Sequence, residues 1–510
     1  MAIVQTEFGG IEGVEENGLS VFKGIPFAQP PTGSLRFRPP EPPQPWTGTF
    51  PATEFGAAPP QLAGESSGES GAGISEDCLT VNVWTPGCDA TARPVMVWIY
   101  GGSFVMGSNS SDVSDGATLA ANGDVVVVSL NYRVGAFGFL HLTDIAGEDF
   151  ASSCNLGLLD QIAALQWVQQ NISAFGGDSD NVTVFGVSAG GISISALLAM
   201  PAAKGLFHKA ITQSGAANQV RSEASAATAS RYVRKFAGAR TLEDLQALSM
   251  EEILKAQKKA LRTSPKPDAF FGPVVDGTLL PEPPLHAIRG GRSADVPLMT
   301  GTNLDEMRFW LTHSPEVAKP DPARLMRAVE KMLGGSADAL VKAYESRFPE
   351  ATETDRRISI LSDLTFTIPA IRMLEAHEER QSKVWLYLFT WESPAYDGML
   401  GSPHAIEQPF VFGTLESSFA TTYGVNGAEC LELSRRVQDA WIAFARHGDP
   451  SHDGLPSWPD YSHGARKVMV FDTQCECKDD PHGAVRPAWD AVPFDGIQPP
   501  VGVRPMPAEG

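Results

Sequence analysis

What this chain lacks narrows its identity before any motif is read. Cysteine is scarce: six residues in 510, at 78, 88, 154, 430, 475 and 477, too few and too irregularly spaced for a disulfide framework. Cys475-Glu-Cys477 is the one close pair, and with a single intervening residue and no Cys or His nearby at finger spacing it is not a zinc motif. Positive charge is also short, with 39 Lys and Arg against 60 Asp and Glu and a formal charge of −21. Such a far field repels phosphate backbones, which excludes nucleic acid as an expected partner and otherwise reads as a solvated surface. No stretch reaches the roughly 18 apolar residues of a membrane span, and the N-terminus, Met1-Ala-Ile-Val-Gln-Thr-Glu-Phe, has no basic segment leading into an apolar run. The expectation is a cytoplasmic protein with no membrane partner. No internal repeat and no composition break calls for a second domain.

What is present is an ordinary globular composition, 43% hydrophobic and 19% charged, sufficient for a large core. Short β-branched apolar runs recur at Val95–Tyr100, Val125–Leu130, Val182–Phe185, Leu298–Gly301, Val384–Phe389 and Val468–Phe471, and they read as strands buried on both faces. Helical patterns intervene, as at Leu158–Gln170, where Leu158, Ile162, Leu165 and Val168 share a stripe. Alternation of this kind predicts an α/β fold with a largely parallel sheet between helices. Residues 28–61 are rich in proline and 64–74 are polar and low in complexity, so both are expected to be surface loops that bury little. Segments near 220–290 and 314–382 are richer in charge and helical periodicity, and read as insertions covering one end of the sheet.

Gly186-Val187-Ser188-Ala189-Gly190 fits G-x-S-x-G between a strand, Val182–Phe185, and a helical run, Ile192–Met200. That context predicts a sharp strand-to-helix turn presenting the Ser188 hydroxyl as a nucleophile. Upstream, Trp98-Ile-Tyr-Gly-Gly-Ser-Phe104 leaves the sheet in a glycine-rich turn. Acyl transfer needs backbone N–H groups aimed at the developing alkoxide, and Gly102, Ser103 and Ala189 are the expected donors of that oxyanion hole. A serine needs a base, and the base a carboxylate. With the order Ser, acid, His, each on a loop after a later strand, His141 is excluded and His208 disfavoured. His404, after the strand at 384–389, is the expected base, whereas His447, His452, His463 and His482 sit in polar, turn-rich surroundings. The acid lies in Thr300-Gly-Thr-Asn-Leu-Asp-Glu306, where position alone leaves Asp305 and Glu306 equal.

These stretches, together with Phe22–Ala28, Leu35–Phe37, Glu76–Leu79, Asn131–Gly135, Phe175–Asp178, Gln213–Gly215 and Pro409–Gly413, resemble the type-B carboxylesterases, which include bacterial esterases and, more distantly, the cholinesterases. The resemblance covers most of the chain. It implies a single α/β-hydrolase domain over 1–510, with helical insertions forming a pocket over the strand ends. It implies a serine carboxylesterase that acts on small-molecule esters through an acyl-enzyme, with no metal or organic cofactor, as a monomer or homodimer. It places the acid at Glu306, the base at His404, a buried serine near the triad at Ser214, a second buried carboxylate at Glu407 and a structural ion pair between Arg36 and Glu76. Phe270, Phe271, Phe309 and Trp310 are expected to line the substrate pocket.

The chain departs from that family at several points. Val187 stands where glutamate is usual, and Ser103 where glycine or alanine is frequent, which is expected to restrict tertiary alcohol groups. No cysteine precedes Cys78 to close the cholinesterase loop, so that loop is expected to be an unclamped flap in a reducing compartment. No tryptophan occurs in residues 61–77, so choline esters are not the expected substrates. Carbamate or amide hydrolysis and acyl transfer to an alcohol would use the same triad. A non-catalytic binding module would require a broken one.

Overall fold

The computed structural model describes residues 1–62, 73–263, 271–312, 327, 330 and 333–492. Seven parallel strands form its centre, in the spatial order Val126–Leu130, Arg93–Ile99, Gly177–Val187, Lys209–Gln213, Leu298–Asn303, Val384–Phe389 and Lys467–Phe471. Antiparallel strands extend both sides. Thr80–Thr85 follows Val126–Leu130 and leads out through Leu19–Pro26 and Gly9–Glu16 to Ala2–Thr6. Glu476–Asp479 closes the other edge. The largely parallel sheet is the one the alternating pattern predicts, and the architecture is the α/β-hydrolase fold that the resemblance implies.

The central strands are contiguous apolar runs because helices cover both faces, leaving no solvated side for polar residues. Every residue of Arg93–Ile99 and of Val384–Phe389 is buried. The helix Leu156–Asn171 differs from the single stripe expected of it. Asp160 and Gln161 are buried alongside Leu158 and Leu165, because Asp160 receives the Arg133 guanidinium through Nε at 2.8 Å and Nη2 at 2.7 Å, and the Arg133 N–H at 2.9 Å. A buried charge is tolerated where a geometry of this kind satisfies it.

The proline-rich segment 28–61 buries more than its composition suggests: Ala28, Phe37 and Ala52 join the core, and Gln61 is buried. Coil can be buried where its polar groups are satisfied, and Gln61 shows how. Its amide donates to the Gly107 carbonyl at 2.9 Å and accepts the Gly107 N–H at 3.0 Å. Most of the low-complexity stretch 64–74 lies outside the described residues, as does much of 314–332. Arg36 and Glu76 form the expected pair, Nε to Oε2 at 2.7 Å, and Arg36 Nη1 also reaches the carbonyls of Gln246 and Leu248.

The two charge-rich segments are helical: Glu223–Ala237 and Met250–Thr263 in the first, Glu353–Ser362 and Ile368–Glu378 in the second. Both touch chain that emerges from the strand ends. Gln257 Oε1 accepts the Ala136 N–H at 2.8 Å, and Ser362 Oγ accepts the Met307 N–H at 3.1 Å. All six cysteines are free thiols. Among the described residues no helix is long and apolar enough to cross a membrane.

Candidate active site

One residue separates the strand Gly177–Val187 from the helix Ala189–Leu197, and that residue is Ser188, at φ 56° and ψ −120°. A non-glycine residue rarely holds such a conformation without support from its surroundings. Here its N–H donates to the Gln213 carbonyl at 2.8 Å and its carbonyl accepts the Ile192 N–H at 2.9 Å, so the turn is fixed at both ends while the side chain stays half-buried. The glycine two residues later is required by the neighbouring strand. A Cβ on Gly190 would stand 1.9 Å from the Ile99 carbonyl oxygen. Val187 is buried and supplies an apolar wall against Gly101.

Next to this elbow the strand Arg93–Ile99 runs into a turn with Gly102 at φ 115°, Ser103 at 55° and Phe104 at 61°. The turn closes on itself, the N–H groups of Val105 and Met106 donating to the Gly102 carbonyl, and Phe104 is fastened from outside by the Gly135 N–H at 2.6 Å. Among the described residues the N–H groups of Gly102, Ser103 and Ala189 donate to no protein acceptor. Left-handed backbone turns N–H groups inward and so suits an oxyanion.

His404 lies on the coil after Val384–Phe389, 4% exposed, with Nδ1 2.5 Å from Glu306 Oε2. Glu306 is fully buried, and its other oxygen accepts the Ser214 hydroxyl at 2.5 Å and the Asn303 N–H at 2.8 Å. This is the carboxylate that reaches the imidazole; Asp305 points elsewhere, to the backbone of Ser402. His404 Nε2 is buried and has no hydrogen-bond partner among the described residues, so the bond to Ser188 Oγ is not closed. Such contacts are commonly loose until substrate binds.

Behind the acid, Glu407 accepts from Asn303 Nδ2 at 2.7 Å and Gln213 Nε2 at 3.1 Å, and Asn303 Nδ2 also lies 3.3 Å from Ser214 Oγ. Burial, followed by the neighbouring Glu306 charge, pushes the Glu407 carboxyl above the usual carboxylate range. Asn303, which links the two acids, and Gln213, which holds Glu407, were given no role by the sequence. Each ends a central strand, and its amide has no periodicity to betray it.

Aromatic rings enclose the imidazole. Trp310 and Phe366 each lie 4.8 Å from it, centroid to centroid, and Phe309 lies 5.9 Å away. Trp310 stacks on Phe366, and Phe309 on Tyr423. Phe309 and Trp310, expected as pocket residues, pack around the histidine ring, and Phe366 and Tyr423, which the sequence did not mark out, pack with them. Phe366 sits in a π-helical turn, Asp363–Thr367, a local widening with no sequence signature. Phe271 makes no ring contact with this group among the described residues. It is a core side chain, 2% exposed, held where Arg221–Ser222 pairs with Val274–Val275, with its carbonyl accepting from Arg221. Phe270 lies outside the described residues.

The chain is similar to known proteins over nearly its whole length. The pattern of the "Carboxylesterase family" matches residues 1–485. The para-nitrobenzyl esterase of Bacillus subtilis (strain 168) is 42% identical over 493 residues, covering 95% of this chain and 97% of its own. The phenmedipham hydrolase of Pseudarthrobacter oxydans is 34% identical, covering 92% and 94%. Among solved structures, the Geobacillus stearothermophilus carboxylesterase EST55 at pH 6.2 superposes with a TM-score of 0.88 at 38% identity, covering 96% of this chain and 100% of its own.

Proposed function

Because the chain belongs to the carboxylesterase family and is a carboxylic-ester hydrolase, we propose that it cleaves small esters through an acyl-enzyme on Ser188, with His404 as base and Glu306 as the acid that orients it. The observation that carries this reading is the split use of the imidazole: Nδ1 is held by a fully buried carboxylate, while the buried Nε2 is left without a partner among the described residues.

In the first half-reaction Ser188 Oγ attacks the ester carbonyl as His404 Nε2 takes the hydroxyl proton. Negative charge gathers on the carbonyl oxygen, where the N–H groups of Gly102, Ser103 and Ala189 are available to it. Removing one such donor typically costs about 10²- to 10³-fold in rate. His404 then gives the proton to the departing alcohol oxygen, leaving the acyl group on Ser188. In the second half, water attacks that acyl carbon, His404 takes a proton from it and returns a proton to Ser188, and the acid leaves. Glu306 fixes the tautomer with hydrogen on Nδ1 and stabilises the imidazolium in both halves. The rings of Phe309, Trp310, Phe366 and Tyr423 support an apolar acyl or alcohol group. The free thiols support a reducing, cytoplasmic setting.

The test is hydrolysis of nitrophenyl esters from acetate to decanoate by wild type and Ser188→Ala, with and without chelator. The expected result is chelator-insensitive turnover that falls by about 10⁶-fold in the variant. Substantial turnover by folded Ser188→Ala contradicts the assignment.

A further inference from the structure

Resting on the triad reading above, we propose that Asp305 is a positioning residue that sets the backbone beneath His404, and that Arg308 is its ionic anchor. Asp305 immediately precedes Glu306, yet its bonds go to Ser402, two residues before the histidine. Its N–H donates to the Ser402 carbonyl at 2.8 Å, and its Oδ2 accepts the Ser402 N–H at 3.1 Å. Ser402 Oγ donates in turn to the carbonyl of Phe389 at 2.9 Å, and the Leu304 N–H reaches the same oxygen at 2.9 Å. The bracket therefore joins the chain entering His404 to the ends of two adjacent strands. The two segments run so close that a Cβ on Gly401 would meet Asp305 Oδ2 at 2.3 Å.

The second carboxylate oxygen is taken by Arg308, Nε to Oδ1 at 3.1 Å. The same guanidinium donates Nη1 to the Met399 carbonyl at 3.1 Å and Nη2 to Asp355 Oδ1 at 2.5 Å. One planar cation thus fastens the acid turn, the chain leading to His404 and the helix Glu353–Ser362, and a lysine cannot reproduce that three-way fork. With side-chain exposures of 22% and 17% for Arg308 and Asp305, the pair is shielded enough to hold its geometry.

The neighbouring carboxylates divide the work. Glu306 controls the rotation and tautomer of the ring through Nδ1; Asp305 controls where the residue carrying the ring stands. Placement matters because a displacement of about 1 Å in a catalytic group can cost on the order of 10²-fold in rate.

The experiment compares Asp305→Ala, Arg308→Ala and Arg308→Lys with wild type, His404→Ala, Glu306→Gln and Ser188→Ala. It uses p-nitrophenyl butyrate turnover per folded molecule and amide hydrogen exchange over residues 399–404. Asp305→Ala is expected to speed exchange across that segment and lower kcat by roughly 10- to 100-fold with KM within about twofold. Arg308→Ala is expected to show the same signature more weakly, and Arg308→Lys to recover part of the loss. Wild-type kcat in folded Asp305→Ala overturns the proposal. So does Asp305→Ala as inactive as His404→Ala beside an active Glu306→Gln, since Asp305 would then be the acid itself. If Asp305→Ala does not fold, Arg308→Ala decides by the same exchange and kcat criteria. An active Ser188→Ala would instead defeat the triad reading, a result distinct from any outcome at Asp305.

Discussion

Glu407 keeps its proton at pH values where a carboxyl in water would have lost it, and that has a measurable consequence for stability. Below the ordinary carboxylate range, folded and unfolded chains both hold the proton. Between that range and the raised folded value only the folded chain does, so stability falls as pH rises through the window. Asp363, raised chiefly by burial, contributes with the same sign. For one such group the slope reaches at most about 1.4 kcal/mol per pH unit. Thermal unfolding followed from pH 4 upward is expected to show a shallower fall for Glu407→Gln than for wild type, whatever the absolute stability of the variant. Identical slopes would mean that Glu407 is ionised in the native protein. At this scale the sequence was legible where chemistry demands a rare arrangement: the Ser188 turn and His404 stand out. The choice between Asp305 and Glu306 did not stand out from the residues themselves, because adjacent residues on a turn share every local cue; the resemblance pointed to Glu306, and in the packed chain it is Glu306 that meets the imidazole.

Elements differ in how openly they declare themselves. Val384–Phe389 could be read to the residue, because an interior parallel strand is a continuous apolar run. Gly177–Val187 could be read only in its second half; it opens with Asp178, Ser179, Asp180 and Asn181, which look like loop. Lys209–Gln213 went unseen because a lysine and a glutamine bracket three small or branched residues, and Gly9–Glu16 because glycine and glutamate interrupt its alternation. The strand-to-helix elbow was legible through its glycines, but not the reason for them, which is the carbonyl of an adjacent strand. Gly190→Ala places a methyl group against the Ile99 oxygen, a rigid backbone atom at 1.9 Å. The variant is expected to lose more than about 4 kcal/mol in denaturant unfolding, or to fail to fold. Gly335→Ala, where nothing lies within 4 Å, serves as the control expected to match wild type. A stable, fully active Gly190→Ala would refute this account of the elbow.

On the scale of the whole molecule, one hydrophobic cluster runs from Val4 to Val492, which supports reading the chain as a single domain whose helical segments cap the strand ends. The composition indicated that much core without showing which coil would join it. Segment 28–61 is drawn in by long-range partners such as Gly107 for Gln61, and contacts across 46 residues leave no local trace. The proposed site depends on this assembly: Ser188, the turn at Gly102–Phe104, Glu306 and His404 follow the ends of separate strands. The most direct test of the central claim is to quench wild-type enzyme in acid during turnover of p-nitrophenyl butyrate and map the modified peptide by mass spectrometry. The account predicts one butyryl group per molecule, on Ser188, absent from Ser188→Ala and formed orders of magnitude more slowly in His404→Ala. An acyl group on any other residue, or its formation at the wild-type rate without His404, would contradict it.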